Sequence, residues 1–122
     1  MAIISVEDLD VYKRSYRLAL EIHKETMQFP QPDKFELGGQ MRRASKSIPT
    51  NISEGFAGRS STAQYVRYLN IARDSCDEMF THLRFAKDLK YFSEEKFNYF
   101  FDEYKIIAKQ LTNLAKKWKS FK

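Results

Sequence analysis

Cysteine is almost absent. Cys76 is the only one in the 122-residue chain, so neither an internal disulfide nor a cysteine-based zinc site can form, and a reducing compartment is expected. Glycine and proline are scarce too, with 4 and 3 copies, and no stretch is rich in serine, glycine or proline. That excludes linkers and low-complexity segments, and the length suits a single domain spanning residues 1–122. No internal repeat is found. Apolar runs fall far short of the roughly 20 residues that cross a bilayer, so no spanning helix and no membrane association is expected. Residues 1–10 carry Glu7, Asp8 and Asp10 where an exported protein would be basic, so no signal peptide is read and a soluble, cytoplasmic protein is expected.

Catalytic motifs are missing as well. Helical bundles that bind paired metals use Glu-x-x-His motifs from facing helices. Here the only histidines are His23 and His82, with Glu21 and Glu78 at the wrong spacing before them. Cys76 sits on an apolar seam, where a thiol behaves as a small hydrophobe. No phosphate-cradling glycine loop occurs, and the pair Gly38-Gly39 is too little to make one. No enzymatic activity, metal or cofactor is expected.

What is present is helical periodicity. A first helix capped by Ser5 should run to about Gln28, with one stripe at Leu9, Tyr12, Tyr16, Ala19, His23 and Thr26 and a second at Val11, Leu18, Ile22 and Phe29. Pro30 and Pro32 end it. A second helix, from near Asp33 to roughly Phe56, aligns Leu37, Met41, Ala44, Ile48, Ile52 and Phe56. Pro49 should kink it without ending it, and Gly55 and Gly58 supply freedom for the turn that follows. The third, capped by Ser60 or Ser61 and ending near Phe92, has a seam at Leu69, Ala72, Cys76, Met79, Leu83 and Ala86. The fourth, capped by Ser93, repeats Phe97, Phe100, Tyr104, Ile107, Leu111, Leu114, Trp118 and Phe121. Short loops force neighbours to run antiparallel. The spacing predicts an all-α, up-down-up-down four-helix bundle with a left-handed supercoil.

Charge is uneven along the chain. Residues 1–32 hold 4 basic and 5 acidic side chains, whereas residues 93–122 hold 7 and 4. Lys116, Lys117, Lys119 and Lys122 close the chain without an acidic neighbour in sequence, in a position that also suits the negative end of a helix dipole. The second helix and the turn after it gather Gln40, Arg42, Arg43, Lys46, Ser47, Asn51, Glu54 and Arg59. Gln40, Ser47, Asn51 and Glu54 recur along one edge of the apolar stripe and read as a structural polar stripe that satisfies itself or a neighbouring helix. Arg42 and Lys46 are read as facing outward. With Arg43 and Arg59 they suit either solvent or phosphate.

Aromatic residues exceed what one seam per helix can bury. Tyr65, Tyr68, Phe80, Phe85, Phe92, Tyr99 and Phe101 fall off the main stripes, which predicts a surplus of apolar surface and hence a homo-oligomer.

The run Glu7-Asp8-Leu9-Asp10-Val11-Tyr12, then Phe29-Pro30, Leu37, Gln40-Met41-Arg42-Arg43-Ala44, Ser47-Ile48, Asn51-Ile52, Glu54-Gly55, Arg59-Ser60, Tyr65 and Leu69, resembles the four-helix-bundle family of the 23S ribosomal RNA intervening-sequence protein. The chain departs from it at Asp74-Ser75, where relatives more often carry Gly-Ser. Relatives include the accessory protein of diversity-generating retroelements. The resemblance implies a barrel-like homopentamer with basic surfaces that binds RNA or DNA without catalysis. Arg42, Arg43, Lys46, Arg59, Lys116, Lys117 and Lys119 are then the candidate phosphate contacts, with little base readout. The alternative is a scaffold whose apolar surface recruits another protein, such as a polymerase.

Overall fold

The computed structural model describes residues 5–120, and among them are four α-helices and no strand. They are α1 (Asp10–Thr26), α2 (Leu37–Ala57), α3 (Thr62–Asp88) and α4 (Glu94–Ser120). Phe121 and Lys122 lie outside the described residues. Among the described residues no helix is long and apolar enough to cross a membrane.

Pairs across the helices establish the topology. Asp10 meets Gln110 and Glu25 meets Lys96, Thr26 meets Arg42, Ser47 meets Ser75, and Tyr65 meets Trp118. The end of α1 meets the early part of α2, Gly55 late in α2 approaches Tyr65 and Tyr68 early in α3, and the starts of α3 and α1 meet the later part of α4, so each helix runs antiparallel to the next and α4 closes on α1. The bundle is up-down-up-down. Its core takes the predicted seams of α2 and α3 entire, from Leu37 to Phe56 and from Leu69 to Ala86.

Several boundaries differ from the reading of the sequence. Ser5 does cap, but it caps a 3-10 turn at Val6–Asp8. Its hydroxyl accepts from the Glu7 N–H at 3.2 Å, while Asp8 accepts from the Ser5 N–H at 3.0 Å. Leu9 is extended, so α1 starts at Asp10 and stops at Thr26. The second helix begins at Leu37 rather than near Asp33. The backbone N–H groups of Lys34, Phe35 and Glu36 turn back onto the carbonyls of Pro30 and Pro32, holding residues 31–36 in successive turns. Beyond Pro49 the helix continues to Ala57.

The third helix stops at Asp88, short of Phe92, for a local reason. Lys90 takes a left-handed φ of 69°, Tyr91 N–H donates to the Ala86 carbonyl at 2.8 Å, and Lys90 N–H donates to the Lys87 carbonyl at 3.0 Å. This is the Schellman arrangement, which satisfies the last carbonyls and is usually built on glycine. A side chain at left-handed φ costs about 1 kcal/mol. Lys90→Gly should therefore raise stability by about 0.5–1 kcal/mol, read as a shift of the urea midpoint at constant m-value.

The double stripe of the first helix holds in part. The second stripe, Val11, Leu18, Ile22 and Phe29, is buried throughout; of the first, Leu9, Ala19 and Thr26 are buried, Tyr12 is half-buried, and Tyr16 and His23 face solvent. Most of the off-seam aromatics are also absorbed within the chain. Tyr65 and Phe92 are buried, and Phe80 and Phe101 pack on each other with ring centroids 4.8 Å apart. Phe85 and Tyr99 stay exposed, joined by Tyr16, Leu20 and Phe35. Much of the predicted apolar surplus is thus end-capping of the bundle itself. Polar groups tie α1 to α4: Arg14 and Arg17 both reach Glu103, and Tyr99 donates to Glu21 at 2.8 Å.

Candidate nucleic-acid interface

The basic residues of α2 do not form one surface. Arg42, read as facing outward, is half-buried and turned back on the α1–α2 connection. Its Nη1 donates to Thr26 Oγ1 at 2.9 Å and its Nη2 to the Lys34 carbonyl at 2.8 Å. Gly38, one turn earlier, leaves the room: a Cβ there would lie 3.1 Å from Arg42 Nη1. The guanidinium satisfies a loop carbonyl that water would otherwise have to reach, and a long flexible stem makes that inward route available. Arg43 and Lys46 are exposed, and neither is ion-paired among the described residues.

Arg59 belongs to the opposite end of the bundle. It lies about 16 residues beyond Arg43, roughly 24 Å along the axis at 1.5 Å per residue. Its guanidinium sits 3.9 Å from the centre of the Phe56 ring and donates to the Phe56 carbonyl at 2.9 Å. Phe56 packs edge-on against Tyr65 at 6.4 Å, and Tyr65 against Trp118 at 4.7 Å. This aromatic chain brings the end of α4 beside Arg59. Lys116, Lys117 and Lys119, all exposed, flank Trp118 there. The seven candidates therefore divide into a group near the α1–α2 connection and a group at the far end. Lysine density in the sequence hid a further cation, Arg73. It looks like an ordinary surface partner of Asp77, at 3.4 Å, yet its Nη1 crosses to α4, bonding Thr112 Oγ1 and facing the Ala108 carbonyl at 3.4 Å.

The polar stripe also divides. Ser47 Oγ lies 2.9 Å from Ser75 Oγ, and Asn51 Nδ2 donates to the Ser47 carbonyl and hydroxyl at 2.8 and 2.9 Å, a network that pins α2 to α3. Gln40 and Glu54 are exposed and take no part in it. Glu54 instead lines a groove of about 730 Å³ between α1 and α2, with Tyr12, Tyr16, Leu20 and His23 on one wall and Lys46, Pro49, Thr50 and Ser53 on the other. Tyr16 and Leu20 are 50% and 60% exposed there.

Titratable groups in the core are set for packing. Burial pushes the Cys76 thiol up to about 12, and its Sγ donates to the Tyr104 carbonyl at 3.2 Å. His82 is buried against Glu78 at 2.8 Å. No group of three or more His, Cys, Asp or Glu that could hold a metal occurs among the described residues. Tyr104 is fully buried, burial raises its pKa well above the ordinary value, and its hydroxyl has no hydrogen-bond partner among the described residues. An unmet buried hydroxyl costs about 1–3 kcal/mol. Tyr104→Phe should accordingly stabilise the fold by about 1 kcal/mol in denaturant unfolding; a loss of stability would show that the hydroxyl is satisfied in solution.

A family model described as 23S rRNA-intervening sequence protein matches residues 7–113. A solved structure from Bacteroides thetaiotaomicron VPI-5482, described as a protein with unknown function from the S23 ribosomal protein family, is similar at 24% identity with a TM-score of 0.79. The match covers 87% of this chain and 95% of that one. At that identity the likeness is one of fold. No curated protein matches the chain.

Proposed function

Because the chain belongs to the 23S rRNA-intervening sequence protein family, we propose that it is a non-catalytic, oligomeric nucleic-acid-binding protein that holds the phosphate backbone with little base readout. The observation that carries this reading is the far end of the bundle, where Arg59 and the lysines of α4 gather. No Asp or Glu occurs in the sequence after Glu103, and in space Asp10 of α1 lines the hollow that Lys117 also lines, so Lys116 and Lys119 are the lysines set apart from it. The family's name refers to an insertion in 23S rRNA, which makes RNA the first ligand to test, with DNA beside it. Arg43 and Lys46 add a second contact zone, and Arg42 contributes to the fold.

Self-association is part of the reading. The exposed Tyr16 and Leu20 in the α1–α2 groove supply an apolar face for a second copy, and the pentamer implied by the resemblance is the assembly to look for by sedimentation.

Phosphate binding of this kind releases counterions, so affinity falls with salt at a log–log slope of about 0.9 per phosphate on duplex and about 0.7 on single strands. Replacing Lys116, Lys117 and Lys119 together with glutamine should reduce that slope by about 2 on single-stranded RNA. Absence of RNA and DNA binding even at low salt overturns the proposal. The same groove favours a second reading, a scaffold for another protein. A partner retained in a pull-down after nuclease treatment would support it over the first.

A further inference from the structure

We propose that the cleft between α3 and α4, lined by Asn70, Arg73, Thr112, Lys116 and Lys119, is a preformed site for a single phosphate group. The cleft has a volume of about 210 Å³ and a floor of Leu111 and Ala115, both buried. Asn70 and Arg73 lie one turn apart on α3, and Thr112, Lys116 and Lys119 follow one face of α4 at spacings of 4 and 3. Two helices thus present three cations and two neutral hydrogen-bonding groups to one hollow, and no carboxylate lines it.

Like charges repel, so collecting them without a lining anion is unfavourable unless something negative is bound. Asp77 offsets Arg73 from outside the cleft, which leaves the two lysines as the local surplus. That surplus balances a phosphate dianion fully and leaves one positive charge over a phosphodiester. Arg73 is also held in place: Asp77 takes its Nε, and Thr112 and the Ala108 carbonyl take its Nη1. Among the described residues Nη2 makes no hydrogen bond, so a fork fixed on one side keeps donors for an incoming oxygen. Fixing the guanidinium in advance removes part of the ordering cost of binding. The α1–α2 groove offers nothing equivalent, since its lysine, Lys46, shares it with Glu54.

The assignment of this phosphate to a nucleic-acid backbone rests on the function proposed above; the site itself does not. Two arms separate the sources. In one, the full chain is titrated with a short single-stranded RNA over a range of salt. In the other, thermal unfolding is compared in potassium phosphate and in potassium chloride at matched ionic strength, both dilute enough that the general stabilising effect of phosphate through exclusion from the surface is negligible. Arg73→Gln and Lys119→Gln are carried through both, and Lys119, being exposed, keeps the test decisive should Arg73→Gln fold poorly. The expected result is that each variant weakens RNA binding about tenfold, the loss of one charge-assisted hydrogen bond. The stabilisation by phosphate over chloride should also disappear in each. If phosphate stabilises the wild type and not the variants while RNA does not bind, the site stands with free phosphate as its ligand and the nucleic-acid reading falls. If RNA binds and neither variant changes its affinity, and phosphate does no more than chloride, the site is overturned and the nucleic-acid reading stands.

Discussion

Gly55→Val will destabilise the protein by about 3 kcal/mol, at the upper end of what overpacking a close contact costs. Gly55 lies inside α2 rather than in the turn after it, and its φ is not positive, so backbone freedom is not what the position needs. It needs the absence of a side chain. A Cβ at Gly55 would stand 2.8 Å from the Tyr68 Cβ, 3.1 Å from the Tyr65 ring and 3.3 Å from the Tyr65 carbonyl oxygen. None of these is the free end of a flexible chain, so relief requires α3 to move away from α2. That movement would loosen Ile52 and Leu69 and draw apart the Ser47–Ser75 pair. The small helix-propensity gain of Val over Gly, about 0.5 kcal/mol, offsets little of this. The check is the urea midpoint of variant and wild type; equal midpoints would mean that the helices do not pack this closely.

Arg42→Met will lower stability by about 2 kcal/mol and leave the salt slope of nucleic-acid binding unchanged. The substitution keeps the apolar stem and removes two hydrogen bonds, to Thr26 Oγ1 and the Lys34 carbonyl. A net value of about 1 kcal/mol each is reasonable for a half-buried, charged donor. Thr26 retains its bonds to the Ile22 and His23 carbonyls, so the main loss falls on the loop, whose carbonyl then depends on water. The pairing of the two measurements is what discriminates. A variant that keeps its stability but loses part of the slope would return Arg42 to the binding surface.

The cap serines show how far local chemistry reaches. Ser61 and Ser93 accept from N–H groups three residues on, as their positions before helical repeats predict. Lys90 shows where it stops. Nothing in Asp88-Leu89-Lys90 resembles a glycine stop signal, and the helix ends there because a non-glycine residue accepts the left-handed conformation that closes its carbonyls. The first helix is intermediate: two stripes were readable, and only the packing of α2 and α4 against α1 decides that Leu18 and Ile22 are inside while Tyr16 and His23 are not.

The seams of α2 and α3, the cap at Ser93, the lack of metal-binding motifs and the basic end of α4 were determined by the sequence alone, because periodicity and capping act over a few residues and charge is carried wherever the residue goes; between Ser60 and Ser61 as the cap of α3 the structure chose Ser61. Tertiary structure decided that Arg42 turns inward, that Gly55 is a point of close approach and that Arg73 joins Lys116 and Lys119 across a cleft. These depend on which surfaces of separate helices meet, and a long side chain or a missing Cβ acquires its meaning only from the neighbour it faces.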